Sequence, residues 1–97
     1  MKIEQMKKVA VAGNTGPGVR SDCQVTLEIK SGGGIKTRLR SKVEAMYGKS
    51  IVKLYNEGLE YFNIRHASIE ILDSGALPFV HMARLEAAVK AVMETEL

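Results

Sequence analysis

One cysteine, two prolines and no tryptophan stand among the 97 residues. The lone thiol, Cys23, excludes an internal disulfide and points to a reducing, intracellular setting. No apolar run approaches the ~20 residues that span a bilayer, and the segment Met1 to Lys8 is too polar for a signal peptide. A cytoplasmic location is therefore the expectation. Histidine is as scarce: His66 and His81 are the two in the chain. Neither has a Cys, Asp or Glu at metal-ligand spacing beside it, and zinc is not expected. A Gly-x-Gly-x-x-Gly cradle is missing too.

Charge of one sign is also in short supply. Fourteen basic and eleven acidic residues leave a net +3, weak grounds for nucleic-acid binding. The basic residues Lys36, Arg38 and Arg40 alternate along one stretch, but no aromatics interleave with them for base stacking. A solvated strand face is the preferred reading, and a small basic nucleic-acid-binding domain is kept as the alternative of another class.

What is present is 45% apolar and 26% charged, the balance of an ordinary globular domain. The chain is short enough for one domain over 1–97, with 1–8 a loose N-terminal segment. Residues Lys8 to Ala12 read as a short strand. Gln24 to Lys30 alternates cleanly, with Val25, Leu27 and Ile29 on one face. Ser31 to Gly34 reads as a hairpin connection to a return strand, Ile35 to Arg40, whose cations would face Glu28 and Lys30.

Ser41 and Glu44 have capping-box spacing, which starts a helix. Its apolar positions are Val43, Met46, Tyr47, Ile51, Leu54, Tyr55, Leu59 and Phe62, and it ends near Asn63. Gly48 allows either one bent helix or two pieces. Ala67 to Leu72 is a further strand. Pro78 opens a last helix running to about Glu94, apolar at Val80, Ala83, Leu85, Ala88, Val89 and Val92. Glu86, Lys90 and Glu94 have i, i+4 spacing on its wet face. The expected fold class is α+β: a small, mostly antiparallel sheet of about four strands with two helices on one face.

The segment between the first two strands, 13–23, concentrates Gly13, Gly16, Pro17 and Gly18, so its backbone is irregular and exposed. It presents a hydroxyl, Ser21, between Arg20 and Asp22. Ser21 lacks a local His/Asp pattern for nucleophilic catalysis. Cys23 lacks a base or helix N-terminus to activate it and reads as a small core residue. The expectation is a loop that something is attached to.

Taken in order, Ala10-Val-Ala-Gly13, a loop with Ser21-Asp22, the alternating strand, a helix, Ile69-Glu-Ile-Leu-Asp-Ser-Gly-Ala-Leu77 and Ala83-Arg-Leu-Glu-Ala-Ala88 resemble the citrate lyase acyl carrier (gamma subunit) family. The resemblance runs from about Val9 to Val92. It implies a carrier, not a catalyst. A loop serine would bear 2'-(5''-phosphoribosyl)-3'-dephospho-CoA, installed by a prosthetic-group transferase. The acetyl or citryl thioester on it would pass between a transferase (alpha) and a lyase (beta) subunit. Carriers of citramalate lyase or malonate decarboxylase are the close alternatives. The loop here departs from the family pattern: Gly16-Pro17-Gly18 lengthens it, and Val19-Arg20-Ser21-Asp22 replaces Glu-Ser-Ser-Asp or Glu-Ser-Gly-Asp. Matching on Asp22 puts the attachment position on Arg20, which cannot accept the group. Matching on serine selects Ser21, with Thr15 the weaker candidate and a relative that has lost modification as the third reading.

Overall fold

The structure is a computed structural model that describes residues 8–41 and 44–94. Along the chain come β1 (Val9–Gly13), β2 (Asp22–Ile29), β3 (Ile35–Ser41), α1 (Glu44–Tyr61), β4 (Ala67–Ser74) and α2 (Pro78–Glu94). The strands form one sheet in the order β1-β2-β4-β3. β1 pairs antiparallel with β2, β2 antiparallel with β4, and β3 parallel with β4. The fold is α+β, as expected. The loose segment expected over 1–8 falls, for 1–7, outside the described residues.

Side-chain alternation explains the central position of β2 and β4. Cys23, Val25 and Leu27 on one, and Ala67, Ile69 and Ile71 on the other, are sealed from solvent beneath the helices. The strands that could not fill such a face lie at the edges. β1 offers only Ala10 and Ala12 inward, and β3 carries Lys36, Arg38 and Arg40 outward, charges that discourage further edge pairing.

The expected hairpin at Ser31 to Gly34 is not formed. β3 does not pair with β2, because β4 lies between them. The glycine-rich segment instead arches over the start of β4: Lys30 N–H donates to the His66 carbonyl (3.0 Å), Gly34 N–H to His66 Nδ1 (2.9 Å), and Ala67 N–H to the Gly34 carbonyl (3.1 Å). Positive φ at Gly33 (92°) and Gly34 (76°) lets the arch turn that tightly. A parallel β3–β4 pair then requires a long crossover, which α1 supplies. The expected cross-strand partners change accordingly. Glu28 pairs with its neighbour Lys30 at 3.3 Å, and Arg38 stands opposite Glu70.

α1 is a single helix through Gly48. It ends in a Schellman motif: Asn63 has φ 62°, its N–H donates to the Glu60 carbonyl, and Ile64 N–H donates to the Leu59 carbonyl. Ile51, Tyr55 and Leu59 are buried, whereas Met46 and Tyr47, expected inside, are exposed. Val43 and part of the capping box lie outside the described residues. α2 buries Leu85, Ala88, Val89 and Val92; Ala83, expected inside, faces solvent, and His81 takes the inward place. Gly58 lets the helices meet, since a Cβ there would strike the Leu85 side chain. Both helices cover one face, α2 over β1 and β2 and α1 over β3.

Candidate functional site

Strand directions gather the end of β1, the start of β2, the ends of β3 and β4 and the starts of both helices at one end of the molecule. The loop of residues 14–21 projects there, and its root is tightly held. Asn14 N–H donates to the Cys23 carbonyl (3.0 Å) and Ser21 N–H to the Ser74 carbonyl (2.8 Å). Within the loop, Val19 N–H donates to the Gly16 carbonyl at 3.1 Å. Pro17 and Gly18, the latter at φ 86°, fill the two central positions as a type II turn demands.

Asp22 locks the root. Arg84 of α2 donates to it through both Nε (3.0 Å, to Oδ1) and Nη2 (2.8 Å, to Oδ2). Asn14 Nδ2 (3.0 Å) and the Cys23 N–H (2.7 Å) also donate to the same carboxylate. The hydrogen bond from Arg84, followed by that from Asn14, holds the Asp22 carboxyl well below the ordinary carboxylate range. The fork-to-carboxylate geometry fixes direction as well as distance. It ties together two segments separated by most of the chain.

Ser21 sits immediately outside this lock. It is exposed, has a left-handed φ of 57°, and its Oγ makes no hydrogen bond among the described residues. Non-glycine residues adopt this conformation uncommonly. Here the Ser74 and Asp22 contacts on either side impose it. Arg20 and Thr15 are exposed on the same loop. Arg20 carries no nucleophilic oxygen.

Beneath the loop lies a buried polar chain that the sequence reading did not anticipate. Cys23 Sγ is 3.7 Å from Tyr55 Oη, and Tyr55 Oη is 2.6 Å from His81 Nδ1. His81 Nε2 is 3.3 Å from Asp73 Oδ1, too poorly aligned for a hydrogen bond. Asp73 is satisfied by other donors: Ser41 Oγ (2.6 Å) and the N–H groups of Gly75 (3.1 Å) and Ala76 (2.9 Å). Burial raises the Cys23 and Tyr55 ionisations and lowers that of His81. All three groups are therefore held neutral. A buried thiol with a raised ionisation is a poor nucleophile, in keeping with the core role expected of Cys23. The available signal was parity: Asp73 continues the inward series of Ala67, Ile69 and Ile71, and His81 precedes Leu85 by one turn.

The other candidates are separate from this polar chain. His66 clamps the glycine arch. Lys36, Arg38 and Arg40 face outward on β3, and the described residues of that sheet face include no aromatic side chain. No group of His, Cys, Asp and Glu among the described residues could hold a metal ion.

Comparison with known proteins identifies the family of the chain. A family described as the malonate decarboxylase delta subunit matches residues 7–92. The citrate lyase acyl carrier protein of Oenococcus oeni is 37% identical over 92 residues, 95% of this chain and 91% of that one. The protein of the same name from Clostridium perfringens is 38% identical over 85 residues, 88% of this chain and 81% of that one. That from Streptococcus mutans is 35% identical over 91 residues, 94% and 86%. Over nearly its whole length, then, the chain is a member of the citrate lyase acyl carrier protein family.

Proposed function

We propose that this chain is the acyl carrier subunit of a citrate lyase and that Ser21 is its point of attachment. The observation that carries the assignment is the contrast between an exposed, uncommitted hydroxyl and the rigid root beside it. An attachment site needs an accessible oxygen whose base does not move. Ser21 supplies the oxygen, while Asp22, Arg84 and Asn14 supply the base.

The residues fit a bulky phosphodiester-linked group such as 2'-(5''-phosphoribosyl)-3'-dephospho-CoA. Gly16 and Gly18 have open space on their side-chain side, with no atom within 4 Å. The neighbouring Asp22 charge is neutralised by Arg84, so a phosphate at Ser21 meets no free carboxylate from that residue. When bound, the group supplies a terminal thiol that holds the acyl unit as a thioester. The chain presents, orients and tethers. A tether of this kind raises the effective concentration of its cargo at two successive active sites, here those of the alpha and beta subunits. The carrier itself performs no bond chemistry. No described helix is long and apolar enough to cross a membrane, and we place the complex in the cytoplasm.

A second reading, the carrier of a malonate decarboxylase, is favoured by the description of the matching family. Intact-mass analysis of the chain from its native host, with peptide mapping of 9–30, tests the shared mechanism. One addition of the size of the dephospho-CoA derivative, mapped to Ser21, is expected. Ser21→Ala should abolish it while changing stability by no more than about 0.5 kcal/mol. An unmodified Ser21 in a host degrading citrate, or an addition on Thr15, refutes the assignment. Reconstitution of citrate versus malonate turnover with the loaded chain separates the two readings.

A further inference from the structure

Of the basic stripe on β3, Arg40 is the cation that the fold itself does not use. Side chains alternate across a sheet, so Lys36, Arg38 and Arg40 stand on the face that the helices leave open. The register gives each a different neighbour on β4: Ser68 beside Lys36, Glu70 beside Arg38 and Leu72 beside Arg40. Lys36 and Arg38 line a shallow concavity that also holds Glu28 and Glu70, so their charge is offset where it stands. Arg40 has an apolar neighbour instead. It is exposed, and its side chain forms no hydrogen bond or ion pair among the described residues.

What Arg40 does share is a depression with the loop. Thr15, Gly16 and Pro17 line it from the loop, Arg40 from β3, and Leu72 and Ser74 from β4. The Ser21 N–H donates to the Ser74 carbonyl at 2.8 Å, so the proposed attachment residue adjoins the depression. Strand rise and spacing put the Ser74 and Arg40 backbones a diagonal of about 8 Å apart. The acidic groups close by are already engaged. Asp73 also borders the depression, but it is buried and accepts from Ser41 Oγ and from the N–H groups of Gly75 and Ala76. Asp22 is held by Arg84. The hydroxyls of Thr15 and Ser74 make no hydrogen bond among the described residues. A free guanidinium with two free hydroxyls beside it is a donor set for a phosphate, which a planar guanidinium meets in fork geometry.

We infer that Arg40 is a phosphate ligand: the depression between the loop and the end of β3 takes the phosphodiester through which the attached group joins Ser21, with the Thr15 and Ser74 hydroxyls as further donors. The inference rests on the carrier assignment above and deepens it. Arg40 would fix the direction in which the arm leaves the domain, and the thiol end beyond it stays free to reach either active site.

The test is NMR of the loaded chain with no partner subunit present. The phosphorus resonance of the diester should stand apart from its position in the same group on a peptide released by proteolysis. Arg40→Gln should return at least half of that shift. Arg40→Lys, which keeps the charge and loses the fork, should return a smaller part. Lys36→Gln should leave the resonance in place, since four residues of strand put it about 13 Å further along, beyond the screening length of about 8 Å at physiological salt. Without any variant, the Arg40 Nε–H resonance should move between the unloaded and the loaded chain, and that of Arg38 should not. Circular dichroism should show all variants folded, because each replaced side chain is exposed.

A diester resonance at one position in chain and peptide overturns the inference, as does an Arg40 Nε–H resonance unmoved by loading. Equal effects of Arg40→Gln and Lys36→Gln overturn it too, by reducing the shift to the general field of the face. Intact mass on the same samples reads loading separately. A loaded Ser21 with unmoved resonances refutes the phosphate site and leaves the carrier assignment standing; no addition at Ser21 refutes both.

Discussion

Replacing Tyr55 by Phe removes one oxygen from a sealed interior and leaves the ring in place. Tyr55 and His81 are both shielded from solvent, and their 2.6 Å hydrogen bond is the contact that satisfies His81 Nδ1. The roles in that bond follow the tautomer: Tyr55 Oη donates to Nδ1 when the ring proton is on Nε2 and accepts when it is on Nδ1. The edge-on packing of the two rings, with centroids 5.3 Å apart, needs no hydroxyl and survives. The perturbation therefore leaves buried His81 Nδ1 without its partner, worth about 1–3 kcal/mol, and also removes the weaker 3.7 Å contact with Cys23 Sγ. For a domain of this size each kcal/mol corresponds to roughly 4–8 °C in Tm. Urea unfolding near neutral pH, followed by circular dichroism, should show the midpoint fall with the slope unchanged. The double variant Tyr55→Phe/His81→Leu should lose less than the sum of the two single variants, because neither polar partner is then stranded. Asp73 keeps its three other donors throughout. A loss below about 0.5 kcal/mol for Tyr55→Phe, with an additive cycle, would show that the chain of polar groups is not coupled and would refute the reasoning.

Three further outcomes follow from other parts of the structure. Burial holds His81 below its ordinary value of 6.5, so its contribution to stability is complete above that pH and is lost as pH falls through the folded value; His81→Leu should remove this limb from a stability-versus-pH curve. Asp22, held below 3.8 by Arg84 and Asn14, gives a second limb present above that value and lost in stronger acid, which Arg84→Met should flatten. Gly13 combines φ 94° with a backbone position where a Cβ would collide with the Cys23 carbonyl. Gly13→Ala should therefore cost more than about 2 kcal/mol in urea unfolding, against about 1 kcal/mol for Gly18→Ala in open space.

The elements of this fold were legible wherever a local pattern is also the tertiary one. Pro78 and the 3.6-residue periodicity gave α2 the bounds Pro78–Glu94 that the structure has. The alternation of Val25, Leu27, Ile69 and Ile71 marked two strands with one buried face. The strand order was not legible, because Ser31 to Gly34 satisfies the requirements of a hairpin and of an arch equally well. What decides between them is which strands can bury a complete face. β4, with Ala67, Ile69, Ile71 and Asp73 all inward, needs a neighbour on each side. β3, with half-buried Ile35, Thr37 and Leu39, is adequate only at an edge. That comparison is between segments far apart in sequence, and no local window contains it.

The site shows the same division, with a functional consequence. The loop and its hydroxyl were visible in the glycines, Pro17 and Ser21, whereas its support was not. Asp22 and Arg84 are separated by 62 residues, Tyr55 and His81 by 26, and Ser41 and Asp73 by 32. Each of these polar residues, taken alone, reads as surface or as a lapse in an apolar pattern. Topology brings them together because every strand end and helix start at this pole must satisfy its own polar groups where the sheet stops. The result is a rigid polar platform beneath a segment with almost no contacts of its own. Rigidity below and freedom above are what the proposed attachment at Ser21 requires. At the start of α2, His81 turns inward beneath the loop while Leu77 and Phe79 stay exposed.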